Sequence, residues 1–131
     1  MPKKTILCVD DEEMILSCLR EQLADHFGDQ YQYELAESAE EALEVIDELS
    51  EENVEILIII SDWLMPEMKG DEFLITVHQK FPHIIKVLLT GQADEQAIQR
   101  AKKEANLFSC LHKPWNAQEL IKTIQSGIAN L

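Results

Sequence analysis

Apolar and polar positions alternate along this chain in two rhythms. Five short runs read as strands: TILCVD (5–10), YQYELAE (31–37), EILIIIS (55–61), IIKVLLT (84–90) and NLFSCLH (106–112). The first, third and fourth are nearly continuous in Ile, Val and Leu, as parallel strands buried on both faces require. The second alternates more and reads as an edge strand. Helical spacing fills the gaps. Ile15, Leu19 and Leu23 share one face. Ala39, Ala42, Leu43, Ile46 and Leu49 form a second stripe, opened by Ser38 with Glu41 three residues on, a capping box. Phe73, Leu74, Val77 and Phe81 make a third, which Pro82 ends. Ala97, Ile98, Ala101 and Ala105 make a narrow fourth. Ala117, Leu120, Ile121, Ile124 and Ile128 make a fifth, opened by Asn116.

A strand followed by a helix, five times over, predicts an α/β fold: a five-stranded parallel sheet with helices on both faces. The doubly wound order 2-1-3-4-5 is the natural candidate. No repeat, low-complexity tract or linker interrupts the pattern.

Composition narrows what such a fold can do. The 131 residues suit one domain, 1–131, with a real core. Twenty-five acidic against 11 basic residues leave a net charge of −14. That argues against nucleic acid and against an anionic membrane surface as partners. The acidic excess concentrates in residues 34–55 and reads as a solvated face around the second helix. Cys8, Cys18 and Cys110 are scattered in apolar contexts and read as buried, reduced thiols of a cytoplasmic protein. No segment has the length of a secretory signal or a membrane span.

Ligands of open parallel sheets sit outside the carboxyl ends of the strands. Asp10 and Asp11 stand after the first strand, Asp62 after the third, Thr90 at the end of the fourth and Lys113 just past the fifth. Each has an ordinary reading too: Asp11 as the cap of the first helix, Thr90 as a strand residue, Lys113 as a solvated charge. Together they converge on one edge. Two like charges about 4 Å apart cost roughly 4 kcal/mol at an effective dielectric near 20, so three carboxylates in contact call for a cation. All-oxygen ligands suit Mg²⁺ (or Mn²⁺), and His26, His78, His83 and His112 are too scattered for zinc. A metal beside a carboxylate, a hydroxyl and a lysine is a phosphoryl-transfer constellation, with Asp62 as nucleophile. Gly91 leaves room for a donor, and Met65-Pro66 with Gly70 shape the turn out of the third strand.

These motifs, Asp10-Asp11, SDWLMPEMKG around Asp62, LLTGQ with Thr90 and HKPW with Lys113, resemble those of the receiver domain of two-component response regulators, including chemotaxis receivers. The likeness extends over essentially the whole chain. It implies a flavodoxin-like (βα)5 fold and a phosphorelay role. Asp62 would accept a phosphoryl group from a phosphohistidine on a histidine kinase or phosphotransfer protein. Asp11, Asp62 and the Leu64 carbonyl would hold the metal directly, and Asp10 mainly through water. Thr90 would bond the phosphoryl group and Lys113 would be its counter-charge, with a cis peptide between Lys113 and Pro114. Output would leave through the fourth helix, fifth strand and fifth helix, to an output domain or partner protein. Such a module catalyses only its own phosphorylation and dephosphorylation.

Cys110 departs from the pattern. It stands where many receivers carry a Tyr or Phe ring that swings inward, so the switch is expected in the loop from Gly91 to Asp94 and the fourth helix instead. Leu64 and Gln92 flank the expected path of hydrolytic water, and Leu64 cannot orient it. Trp63 reads as a partly buried packing residue. The chain reads either as a stand-alone receiver or as a fragment of a longer multidomain response regulator, and the KPW form, which resembles receivers joined to output enzymes, favours the fragment. Other classes fit less well. A haloacid-dehalogenase-type phosphatase wants Asp-x-Asp, and Leu64 stands two past Asp62. A flavodoxin-like electron carrier wants a Ser/Thr/Gly-rich phosphate loop, where this chain has DDEEM. A receiver-shaped interaction module that is never phosphorylated would be expected to lack a key residue.

Overall fold

The computed structural model describes residues 3–91 and 95–131. Its elements are β1 (Thr5–Val9), α1 (Glu13–Phe27), β2 (Gln32–Ala36), α2 (Ala39–Glu51), β3 (Ile56–Asp62), α3 (Gly70–Lys80), β4 (Ile85–Thr90), α4 (Glu95–Glu104), β5 (Ser109–His112) and α5 (Ala117–Ala129), with a 3-10 turn at Gly28–Gln30. The strands form one parallel sheet in the order β2-β1-β3-β4-β5, as the alternation predicts. β1, β3 and nearly all of β4 are buried, and the half-exposed β2 is an edge strand.

Strand alternation sorts the core into two halves. Ile6, Cys8, Ile58, Ile60, Val87 and Leu89 face α1 and α5, where they meet Leu16, Leu19, Leu23, Leu120 and Ile124. Leu7, Val9, Ile59 and Leu88 face the other way, against Ala42 and Ile46 of α2, Phe73, Leu74 and Val77 of α3, and Ile98 of α4. The acidic residues of α2 point outward as expected. Among the described residues no helix is long and apolar enough to cross a membrane.

Several local expectations need correction. The buried stripe of α1 runs through Leu16, Leu19 and Leu23, and Ile15 is only half-buried. Asp11 does not cap α1. Glu12 holds that position without a side-chain cap, and its N–H donates instead to Asp10 Oδ1 at 2.8 Å. Ser38 does cap α2, accepting from Glu41 N at 3.1 Å. Glu41 reaches back one residue further than a capping box requires, to the N–H of Glu37 at 3.2 Å. β5 begins at Ser109, later than the apolar run, because Asn106 takes a left-handed conformation (φ 53). Leu107 N then closes α4 on the Ala101 carbonyl at 3.2 Å, so residues 106 and 107 serve the helix exit, and Phe108 N already donates to the Lys86 carbonyl of β4 at 2.9 Å. Cys18 and Cys110 are half-buried, and only Cys8 is fully inside; all three thiols are free. Lys86, in a run read as apolar, is 1% exposed, and its amine donates to the Ile84 carbonyl at 2.7 Å. Burial pushes that amine down to about 8.

The exit from β3 is built by backbone. Trp63 N donates to the Leu89 carbonyl at 2.8 Å, and Gly70 N to the Trp63 carbonyl at 2.7 Å. A Cβ at Gly70 would collide with the Asp62 carbonyl oxygen and lie 2.8 Å from Trp63 Cα. Backbone cannot yield there as a flexible side chain can. Gly70→Ala is therefore expected to cost about 1–3 kcal/mol, as overpacking does. Urea unfolding checks this, and an unchanged midpoint would show that the turn relaxes freely.

Candidate functional site

The carboxyl ends of β1, β3, β4 and β5 bring the polar residues together. Asp10 follows β1 directly, its N–H still paired to the Ala36 carbonyl at 3.1 Å, and its side chain is fully buried. One carboxylate oxygen takes the Glu12 N–H and the other takes Lys113 Nζ, both at 2.8 Å. Lys113 Nζ also lies 3.0 Å from Asp62 Oδ1. Asp62 ends β3 and is 5% exposed, whereas Asp11 is open to solvent. The three carboxylates can each offer an oxygen, all within 4.8 Å of one another. Such a hard, all-oxygen set fits Mg²⁺ or Mn²⁺, and zinc would want nitrogen or sulfur.

Thr90 ends β4, 1% exposed, and its Oγ1 has no hydrogen-bond partner among the described residues. A buried hydroxyl without a partner costs free energy unless something supplies the bond. Its carbonyl accepts from Lys113 N at 2.9 Å, so the Thr90 and Lys113 backbones are joined. The peptide between Lys113 and Pro114 is cis. An open cavity of about 440 Å³ lies over the cluster, lined by Asp11, Asp62, Leu64, Gly91 and Lys113 among others. Leu64 is 56% exposed at its edge. A Cβ at Gly91 would meet nothing nearer than Lys113 Cβ at 3.9 Å, so glycine is not sterically required there but keeps the cavity mouth open.

Cys110 is not in this cavity. It pairs with Leu88 in register, packs on the side of α2, α3 and α4, and is half-buried. Burial pushes its thiol up, only partly opposed by Lys102. Trp63 is half-buried as expected, with Lys69 Nζ 5.1 Å from its ring centre. Gln92 and the rest of the loop through Asp94 lie outside the described residues. The sequence did not point to Asp71. It is 6% exposed in the first turn of α3, with one oxygen 3.5 Å from Arg100 of α4 and the other without a partner among the described residues. A lone acid in a first helical turn looks like an ordinary dipole partner, so nothing marked it.

Electrostatics set the state of the cluster. Burial pushes the Asp62 carboxyl up to about 6; the Lys113 hydrogen bond opposes this and the neighbouring charge of Asp10 adds to it. Burial alone would lower the Lys113 amine, but its bonds to Asp10 and Asp62 outweigh this and hold it above the ordinary lysine range.

The family's sequence model for the response regulator receiver domain matches residues 6–125. The chain belongs to that family. It is 29% identical over 124 residues to the hydrogenase transcriptional regulatory protein HoxA of Cupriavidus necator, covering 95% of this chain and 24% of that protein. It is 30% identical over 121 residues to the sensor kinase CckA of Brucella abortus, covering 92% of this chain and 12% of that one. The receiver thus spans a quarter or less of these curated relatives. Among solved structures, the signal receiver domain of an HD domain-containing protein from Pseudomonas fluorescens superposes with a TM-score of 0.87 at 30% identity, covering 98% of this chain and 96% of that one. A CheY-like response regulator receiver domain protein from Methanospirillum hungatei gives 0.84 at 29%, covering 98% and 95%. The receiver fold and membership of two-component signalling follow from these likenesses together with the strand order.

The raised Asp62 carboxyl makes a signed prediction. Its proton is held more tightly in the folded receiver than in the unfolded chain. The stability this gives is complete below the unfolded value of 3.8 and is lost as pH rises through about 6. At pH 7.5 without divalent cations, ionised Asp62 then costs about 2–3 kcal/mol, at about 1.4 kcal/mol per pH unit. Asp62→Asn is expected to raise the unfolding free energy by about 2 kcal/mol at that pH. The gain should vanish as pH falls below 6 towards 4. Urea unfolding in a chelator across this range checks it, and a gain independent of pH would contradict the assignment.

Proposed function

We propose that this receiver takes a phosphoryl group onto Asp62 from the phosphohistidine of a histidine kinase or phosphotransfer protein. What carries the reading is the grouping at one sheet edge: the Asp62 carboxylate 3.0 Å from Lys113 Nζ, and at the end of the neighbouring strand a buried Thr90 hydroxyl without a partner among the described residues. A nucleophile, a counter-charge and an unused donor are what acceptance of a phosphoryl group requires. A carboxylate oxygen of Asp62 attacks phosphorus. The bond from phosphorus to the donor's imidazole nitrogen breaks, and that nitrogen keeps the electron pair. Lys113 meets the charge on the phosphoryl oxygens.

Asp10, Asp11, Asp62 and the Leu64 carbonyl are the groups that would hold Mg²⁺ or Mn²⁺, Asp10 mainly through water. The ion, when bound, neutralises charge on the phosphoryl oxygens. Asp10 has a further task, because it anchors Lys113 when Asp62 changes partners. Afterwards the Thr90 hydroxyl donates to the new phosphoryl group, which brings about −1.5 to −2 charges. Thr90 moves, and α4 with it, so the output surface on α4, β5 and α5 changes for an output domain or partner protein. Cys110 has no ring to turn inward, so the movement passes to Gly91 and α4. Leu64, apolar at the cavity edge, shields the phosphoryl group from water. A cytoplasmic setting, where phosphohistidine donors occur, belongs to the same proposal.

Intact mass after incubation with acetyl phosphate and Mg²⁺ tests the reading. One phosphoryl group is expected on the wild type and none on Asp62→Asn. Followed in time, Leu64→Asn is expected to lose the group several-fold faster. Equal labelling of the Asp62 variant would remove Asp62 as acceptor, and an unchanged rate of loss would remove Leu64 as shield.

A further inference from the structure

The whole site turns on where one flexible side chain ends. Lys113 Nζ must stay on Asp10 and Asp62, at 2.8 and 3.0 Å. A lysine side chain has four rotatable bonds and no fixed fork, so its reach is set by where the backbone puts its Cα. That backbone is the short connection from the end of β5 to α5, residues 113–116. It is held at both ends. Lys113 N donates to the Thr90 carbonyl at 2.9 Å, and Asn116 Oδ1 accepts from Glu119 N at 2.7 Å.

Its middle is held by Trp115. The indole is half-buried against the core shared by α1 and α5. Its Nε1–H donates to Gln22 Oε1 at 2.8 Å, across to α1. An indole N–H can only donate, so the amide must present its oxygen. The amide nitrogen then faces Cys18 Sγ at 3.5 Å, one turn earlier. Packing alone would be served equally by Phe. An indole in this setting adds a directed bond to a second element. That element is the helix that begins just after Asp10 and Asp11. Gln22 lies nine residues along it from Glu13, about 14 Å at 1.5 Å per residue. The tether is therefore remote from the charges, yet it joins the connection that carries the ammonium to the helix that follows the carboxylates.

We propose that Trp115 and Gln22 are a positioning pair. Their bond fixes the Lys113 connection against α1, so that the amine rests on both Asp10 and Asp62 and the acceptor is poised for transfer. The consequence for rate rests on the reading of Asp62 as phosphoryl acceptor; the placement of the amine does not.

Two measurements on the full chain separate these. The first is the Nζ–Hζ NMR signal of Lys113, assigned by its absence in Lys113→Met. It is expected in the wild type, where two carboxylates hold the ammonium, and in Gln22→Glu, which keeps an acceptor oxygen. It is expected to shift or broaden away in Trp115→Phe, which keeps a ring without the N–H, and in Gln22→Leu. The second is the labelling rate with acetyl phosphate and Mg²⁺. Trp115→Phe and Gln22→Leu are each expected to lower the rate at saturating donor about five- to tenfold, with half-saturation little altered. Gln22→Glu should stay within twofold of wild type, and the double variant should be no slower than either single one, since both remove the same bond. An unmoved Lys113 signal in both single variants would overturn the proposal, as would Gln22→Glu behaving like Gln22→Leu. If the wild type does not label at all but the Lys113 signal responds as stated, the pair stands and the acceptor reading falls.

Discussion

A single ammonium shared by two carboxylates organises this receiver: Lys113 Nζ sits on Asp10 at 2.8 Å and on Asp62 at 3.0 Å. Asp11 adds a third carboxylate to the same cluster, so one lysine cannot neutralise it. In a chain with a net charge of −14, that deficit is unfavourable. The strand order makes the arrangement possible. β1 and β3 are neighbours, so Asp10 and Asp62 end side by side, while β5 lies beyond β4 at the edge. A long side chain must cross the end of β4 to reach them. Thr90, which ends β4, is joined to Lys113 through its backbone carbonyl, and its own hydroxyl is buried.

The two halves of the core divide the remaining work. α1 and α5 close one face of the sheet, and α1 begins just after the carboxylates. α2, α3 and α4 close the other. There α4 meets the sheet through a short stripe, Ile98 flanked by the small Ala97 and Ala101, and is joined to α3 by Arg100 and the buried Asp71. A helix that buries little apolar surface is easily displaced.

Much of this could be read from residue order. Continuous apolar runs alternating with helical stripes predict a doubly wound parallel sheet, and polar residues at the ends of such strands mark its ligand edge. What escaped reading has physical causes. Which of Ile15 and Leu16 faces inward depends on how the helix rolls against the sheet, and both are equally apolar. The late start of β5 follows from the left-handed Asn106, which an apolar run hides. Asp11 looked like a cap because it precedes the helix, but the helix begins one residue later, with Glu12 at its N-cap. Lys86 is buried because its amine reaches carbonyls at the opposite sheet edge. The bond from Trp115 to Gln22 joins residues 93 apart in sequence, beyond any local pattern.

The central claim is that the uncompensated charge of this cluster makes it a divalent cation site. Thermal unfolding of the wild type, with Mg²⁺ raised to tens of millimolar, tests it directly. Removing the repulsion should stabilise the fold, by about 2.7 kcal/mol when the ion stands at a hundred times its dissociation constant. Asp11→Ala removes the one exposed carboxylate of the cluster and should blunt that rise. A melting curve indifferent to Mg²⁺, or one that rises equally in Asp11→Ala, would contradict the account.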